Sequence, residues 1–223
     1  MSSPITIILT TTVTVHERMI PTNDVQHINK NERLEIYLRS IKQWLSNTNF
    51  HIIVVDNNNY SYHELSKELE IYKNRFEIFY YDEKILKDTK YLLNQPTKGI
   101  NEIYAINYAF ENSKLAQKSE FIIKVTGRYF LPDLENYLKT IDMTNIETIR
   151  QNNPDFCELV GCNKKHFYKI FNRYLVNDRN EIDLHVENIY KNRILWFDNI
   201  LTLPEMVIFP PTTTGYLLLR FYL

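Results

Sequence analysis

Runs of β-branched and apolar residues alternate, through about residue 130, with stretches whose apolar positions recur every three or four residues. Residues 5–12 predict a first strand that ends in Thr10-Thr11-Thr12. From Asn31 onward, Leu34, Leu38, Ile41 and Leu45, flanked by Tyr37 and Trp44, mark an amphipathic helix. Residues 50–55 form a second, almost wholly apolar strand, stopped by the turn-forming cluster Asp56-Asn57-Asn58-Asn59. Ser61 and Glu64 have capping-box spacing and predict a helix to about Tyr72, and 76–81 read as a third strand. The connection 82–97 is long enough to suggest a lid or binding loop, with Tyr91 as a possible acceptor contact. Lys98-Gly99-Ile100-Asn101-Glu102 then opens a helix with Ile103, Ile106, Ala109 and Phe110 facing inward. A fourth apolar strand ends at Thr126-Gly127-Arg128-Tyr129.

Downstream the pattern predicts a helix over 133–138, a strand over 158–161, and helices over 164–174 and 182–194. A proline- and threonine-rich loop follows over 204–214, and an apolar tail over 217–223 reads as a strand. Strand and helix alternating in this order predict an α/β fold, a mostly parallel open sheet covered by helices on both faces. The carboxyl ends of its strands should line one crevice.

With 223 residues, 44% hydrophobic and 24% charged, the chain has the balance of a globular protein and is expected to form a single domain over 1–223. A net charge of -1 provides no field for nucleic acid or anionic lipid, so any anion site must be local. The apolar run at 7–9 is too short and polar for a signal core or membrane span, and a cytoplasmic location is expected. Cys157 and Cys162 are separated by an odd number of positions on a predicted strand, which argues against a bridge; with His166 they lack a fourth zinc ligand, and they read as core thiols.

The chemistry concentrates at the end of the fourth strand. Gly127 allows a sharp turn or a close backbone approach. Arg128 offers a planar fork of donors for phosphate or carboxylate, and Tyr129 a ring on which a base or sugar could stack. Lys124, inside an apolar strand, requires a partner of some kind. Among carboxylates, Asp183 and Glu187 fall four apart, with Tyr190 three further on, so a helix from 182 would align them. Glu102 reads as a helix-start residue that satisfies backbone amides or braces Arg128. His166 and His185 have no neighbouring nucleophile in sequence that would suggest a hydrolase triad.

The ordered set of a threonine-ended first strand, Val54-Val55-Asp56, Lys98-Gly99-Ile100-Asn101-Glu102 and Lys124-Val125-Thr126-Gly127-Arg128-Tyr129 resembles small glycosyltransferases of the nucleotide-diphospho-sugar transferase (GT-A-like) fold, known from bacterial surface-polysaccharide clusters and large DNA viruses. The resemblance covers residues 5–129. It implies transfer of a sugar from a UDP- or GDP-sugar to a glycan acceptor, with residues 1–130 as the nucleotide-binding half and 131–223 as the acceptor-side half. Many members of the wider fold carry an Asp-x-Asp metal motif where this chain has Thr126-Gly127-Arg128, and no Asp-x-Asp occurs in the sequence. Metal-independent transfer is therefore the expectation, with Mn2+ or Mg2+ left open as a cofactor.

On this reading Arg128 and Lys124 hold the diphosphate whose charge grows in the transition state, assisted by Lys98 and the amides at Gly99 and Asn101. Asp56 orients the nucleoside, Thr10, Thr11 and Thr12 bracket the base, and Thr126, Gly127 and Tyr129 complete the donor site. Glu187, then Asp183, are the candidates for the base that accepts the acceptor's proton. Two other readings remain at this point: a sugar nucleotidyltransferase, which should show a glycine-rich loop after the first strand where 10–16 has no glycine, and a non-catalytic nucleotide- or glycan-binding module of the same fold.

Overall fold

The structure, a computed structural model, describes residues 4–14, 29–82, 84–86, 98–174, 185–213 and 219–222. Tyr91, most of the 82–97 connection and Asp183 lie outside the described residues. The elements run β1 (Ile5–Thr11), α1 (Lys30–Asn47), β2 (His51–Asp56), α2 (Ser66–Ile71), β3 (Phe76–Tyr80), α3 (Lys98–Asn112), α4 (Lys114–Lys118), β4 (Phe121–Thr126), α5 (Leu134–Lys139), β5 (Thr148–Arg150), β6 (Leu159–Asn163), α6 (Phe167–Ile170), α7 (Val186–Ile194), β7 (Ile200–Thr202), β8 (Val207–Thr213) and β9 (Leu219–Tyr222).

Seven strands form one sheet in the order β3-β2-β1-β4-β6-β5-β7, while β8 and β9 pair as a separate ribbon. β3, β2, β1 and β4 are mutually parallel. β6 then runs antiparallel to both β4 and β5, and β7 is parallel to β5. The sheet is thus mostly parallel but mixed.

Side chains alternate across it as the pleat requires. Ile7, Leu9, Ile52, Val54, Ile123 and Val125 pack on one face with Tyr37, Ile41, Trp44 and Leu45 of α1 and Leu134 and Leu138 of α5. Ile8, Ile53, Val55 and Ile122 pack on the other with Ile103, Ile106 and Phe110 of α3, Phe167 and Ile170 of α6, and Ile189 and Tyr190 of α7. Helix α1 starts at a capping box in which Asn29 accepts from the Glu32 amide at 3.0 Å and Glu32 accepts from the Asn29 amide at 3.3 Å.

Three expectations need correction. The Ser61–Glu64 capping box does not form: Tyr62 sits in the left-handed region at φ 51, a 3-10 turn over 63–65 follows, and the Glu64 carboxylate is taken by the Tyr60 hydroxyl. The helix expected over 164–174 is a 3-10 turn and the four residues of α6, because Arg193 donates to the carbonyls of Ile170 at 2.9 Å, Asn172 at 3.0 Å and Tyr174 and so stops the helix there. Residues 207–213 are strand rather than loop, with a register irregularity in the β8–β9 pairing that accommodates Pro210 and Pro211.

Candidate functional site at the carboxyl edge of the sheet

Register brings the expected residues together. Thr11 pairs with Asp56, Thr10 with Thr126, and Asp56 with Tyr80, so four strands end side by side. The Gly127 amide donates to the Thr10 carbonyl at 2.9 Å. A Cβ at Gly127 would lie 2.6 Å from Thr11 Cγ2 and 2.7 Å from Thr10 O, which is why glycine stands here. The turn that follows is tethered from α1, where Trp44 Nε1 and Ser40 Oγ donate to the Tyr129 carbonyl at 2.8 and 2.9 Å.

Arg128 is exposed at this edge, its guanidinium 5.0 Å from the centre of the Tyr129 ring, and it forms no ion pair among the described residues. Tyr129 itself is 1% exposed, so its ring supports Arg128 from the core instead of standing open for stacking.

Asp56 is wholly buried. Its Oδ2 accepts from Thr11 Oγ1 at 3.1 Å and the Val13 amide at 3.0 Å, and its Oδ1 from the amides of Asn58 at 2.8 Å and Tyr60 at 3.2 Å. Burial pushes its pKa up while these four donors pull it down. The carboxylate fixes the end of β1 and the 57–60 turn, in which Asn59 has φ 61. Asn57, one of three consecutive asparagines that read in sequence only as turn formers, is buried beside Asp56, and its Oδ1 makes no hydrogen bond within the described structure. Thr12 turns its backbone toward α1, its carbonyl accepting from Arg33 Nε at 3.0 Å and Nη2 at 2.6 Å.

Lys124 points to the α3–α7 face, fully buried. Its Nζ pairs ionically with Glu102 Oε1 at 2.8 Å, donates to Cys157 O at 2.6 Å and Thr126 Oγ1 at 3.4 Å, and lies 6.0 Å from the Tyr190 ring centre. Burial opposes its charge, but Glu102 and Glu158 outweigh that and hold the ammonium above its usual range. Glu102 thus braces Lys124 and not Arg128. With Glu102, Cys157 O and Thr126 Oγ1 around it, the Lys124 ammonium has no donor left to turn toward a ligand.

Glu187 stands half-buried in the first turn of α7. Its charge reaches Cys157 and Tyr190, the groups around Lys124, and adds to the burial that drives both of their pKa values upward. Gly99, in the first turn of α3, lies against Val186; a Cβ there would be 2.6 Å from Val186 Cβ. Asn101 is buried on the same helix, and Lys98 contributes its backbone to the first turn. Both cysteines are free, and among the described residues no group of three His, Cys, Asp or Glu side chains is placed to hold a metal ion. At the amino edge of the strands, a cavity of about 870 Å³ is lined by Ile5, His51 and Phe121 together with Glu135 and Asp142.

The chain has the nucleotide-diphospho-sugar transferase, or GT-A-like, fold. Its structural neighbours are glycosyltransferases, with a nucleotidyltransferase from Bacillus anthracis among them. An active-site mutant of LgtC superposes with a TM-score of 0.51 at 8% identity over 88% of this chain and 72% of that one. The WbbM bifunctional glycosyltransferase superposes with a TM-score of 0.50 at 10% identity over 92% of this chain and 39% of that one. A glycosyltransferase involved in glycosylation of the major capsid of PBCV-1 shows 13% identity over 90% of this chain and 81% of that one, with a TM-score of 0.42. At these identities the likeness is one of fold. No family model and no curated protein matches the chain.

Proposed function

We propose that the protein is a glycosyltransferase that moves a sugar from a nucleoside-diphosphate donor to a glycan acceptor, acting as one catalytic unit over residues 1–223. The observation that carries this reading is the exposed Arg128, without an ion pair among the described residues, on the Gly127 turn where β1, β2 and β4 end in register.

In the reaction the bond from the anomeric carbon to the donor's phosphate oxygen breaks, and the electron pair leaves with the diphosphate. The acceptor oxygen bonds to the same carbon and gives up its proton. Negative charge grows on the leaving diphosphate, and a fixed cation beside it lowers the barrier. Arg128 supplies bidentate donors for it and the amides at the start of α3 add to the field, while Lys124, its charge balanced by Glu102, holds β4 behind the turn. Glu187 receives the acceptor's proton. A divalent ion, where bound, would supply further positive charge to the diphosphate; the described strand end offers Thr126, Gly127 and Arg128, which do not fit such an ion, and the side chains alone carry the steps of this mechanism. Asp56 shapes the nucleoside end by holding the 57–60 turn.

The test is a thermal-shift panel of UDP, GDP and their sugars, with chelator or with manganese, because a ligand that binds only the folded state raises Tm by mass action. Stabilisation with chelator present, lost in Arg128→Ala, supports the proposal. Dependence on manganese rejects the metal-free form, and indifference to every nucleotide rejects the assignment. Slow release of nucleoside diphosphate from the donor, with water as acceptor, separates an enzyme from a binding module.

A further inference from the structure

The fully buried Lys124 and the partly exposed Glu102 form an ion pair on the α3–α7 face of the sheet, and the diphosphate chemistry uses neither directly. Desolvating such a pair is costly enough that apolar replacements of similar volume are often neutral or stabilising. What an apolar pair lacks is direction. Here the bond joins the second turn of α3 to β4 two residues before its end, and Lys124 Nζ continues to Thr126 Oγ1 at 3.4 Å and to the Cys157 carbonyl at 2.6 Å. From the other side, the close contact of Gly99 with Val186 sets the first turn of α3 against α7, directly before Glu187. The amino end of α3 is therefore held between the strand that presents Arg128 and the helix that presents Glu187.

Building on the glycosyltransferase reading, we propose that Glu102 is a positioning residue: through Lys124 it fixes the start of α3 relative to the Thr126-Gly127-Arg128 turn, and nucleoside-diphosphate affinity depends on that bond. Replacing both partners removes one positive and one negative charge, so the net field at the phosphates changes little. A loss of affinity then reports position rather than charge.

The experiment measures Kd for UDP and GDP by calorimetry, well below every variant's Tm, in wild type, the double variant Glu102→Leu with Lys124→Met, Arg128→Ala, and the combination of all three. The expected result is a Kd raised about tenfold or more in the double variant while Tm stays near wild type. Arg128→Ala should cost less in that background than alone, as coupled residues do. An unchanged Kd, or an Arg128 effect of full size, overturns the inference and leaves the functional reading intact. If the double variant does not fold, Glu102→Asp carries the test: both charges remain but the carboxylate withdraws, and Kd should rise several-fold, whereas a lowered Tm with unchanged Kd shows a purely structural pair. A wild type that binds neither nucleotide removes the functional reading itself, and this inference with it.

Discussion

The Gly127 amide meets the Thr10 carbonyl at 2.9 Å, so the turn after β4 is closed onto the end of β1 with no room for a side chain between them. Gly127→Ala forces the new methyl against Thr11 Cγ2 and the Thr10 backbone, and the backbone cannot yield as a flexible side chain would. The expected cost is about 1–3 kcal/mol, the range for overpacking a tight site. Chemical denaturation measures it, and the same variant should lose nucleotide-induced stabilisation because Arg128 is carried on that turn.

Asp56 is the anchor for four donors, two of them beyond β2. Asp56→Ala takes the acceptor from the buried Val13 amide and the part-buried Asn58 and Tyr60 amides, while Thr11 Oγ1 keeps the Val55 carbonyl, and should destabilise by about 2–4 kcal/mol. Within the same turn, Asn59 has a left-handed backbone. Asn59→Gly should be close to neutral, while Asn59→Val should cost about 1–2 kcal/mol. Equal urea midpoints for the two Asn59 variants would show that the turn relaxes on substitution.

Burial is the chief influence on His51 and holds its imidazole below the ordinary range, against an opposing hydrogen bond at Leu115. The folded state therefore prefers neutral His51. Its contribution is complete above the unfolded value of about 6.5 and is lost as pH falls through that value toward the lower folded one. His166 shifts in the same direction, again chiefly by burial. Melting temperature should fall by about 1–3 °C between pH of about 7.5 and 5.5. His51→Asn should flatten that slope; a slope unchanged in the variant would assign it to other groups.

Glu187→Gln keeps the shape of the first turn of α7 and removes the proposed proton acceptor. Turnover of the donor should drop about 10²–10⁴-fold, the usual contribution of a positioned base. Nucleotide Kd should stay within about twofold, because ground-state donor binding does not use that proton. A rise in Kd with turnover preserved would move Glu187 from the acceptor side to the donor side.

The parallel half of the fold is readable because β1, β2 and β4 are buried on both faces and so appear as short apolar runs, and because α1 and α3 repeat their apolar residues over four turns or more. β5 and β7 are three residues each, too short to carry a period. α6 was over-extended because Phe167, Ile170 and Phe171 have helical spacing, whereas the guanidinium that ends the helix comes from Arg193 on another element. At the site, spacing located the strand ends and the Gly127 turn. It could not show that Lys124 and Tyr129 face inward with their partners already chosen, since those partners come from α3, α1 and the segment before β6. Nor could it single out Asn57 among three consecutive asparagines, where only burial separates one from the next.

The antiparallel insertion of β6 beside β4 bears on how the chain can be divided. β4 is flanked on one side by β1 and on the other by β6, with five residue pairs along that second border. Severing the chain near residue 130 would turn the strand that bears Lys124 into an open edge, its main-chain donors and acceptors bare and ready to recruit another molecule. A truncated amino-terminal fragment should accordingly aggregate, and recovering it in soluble form would call for supplying the missing strand in trans.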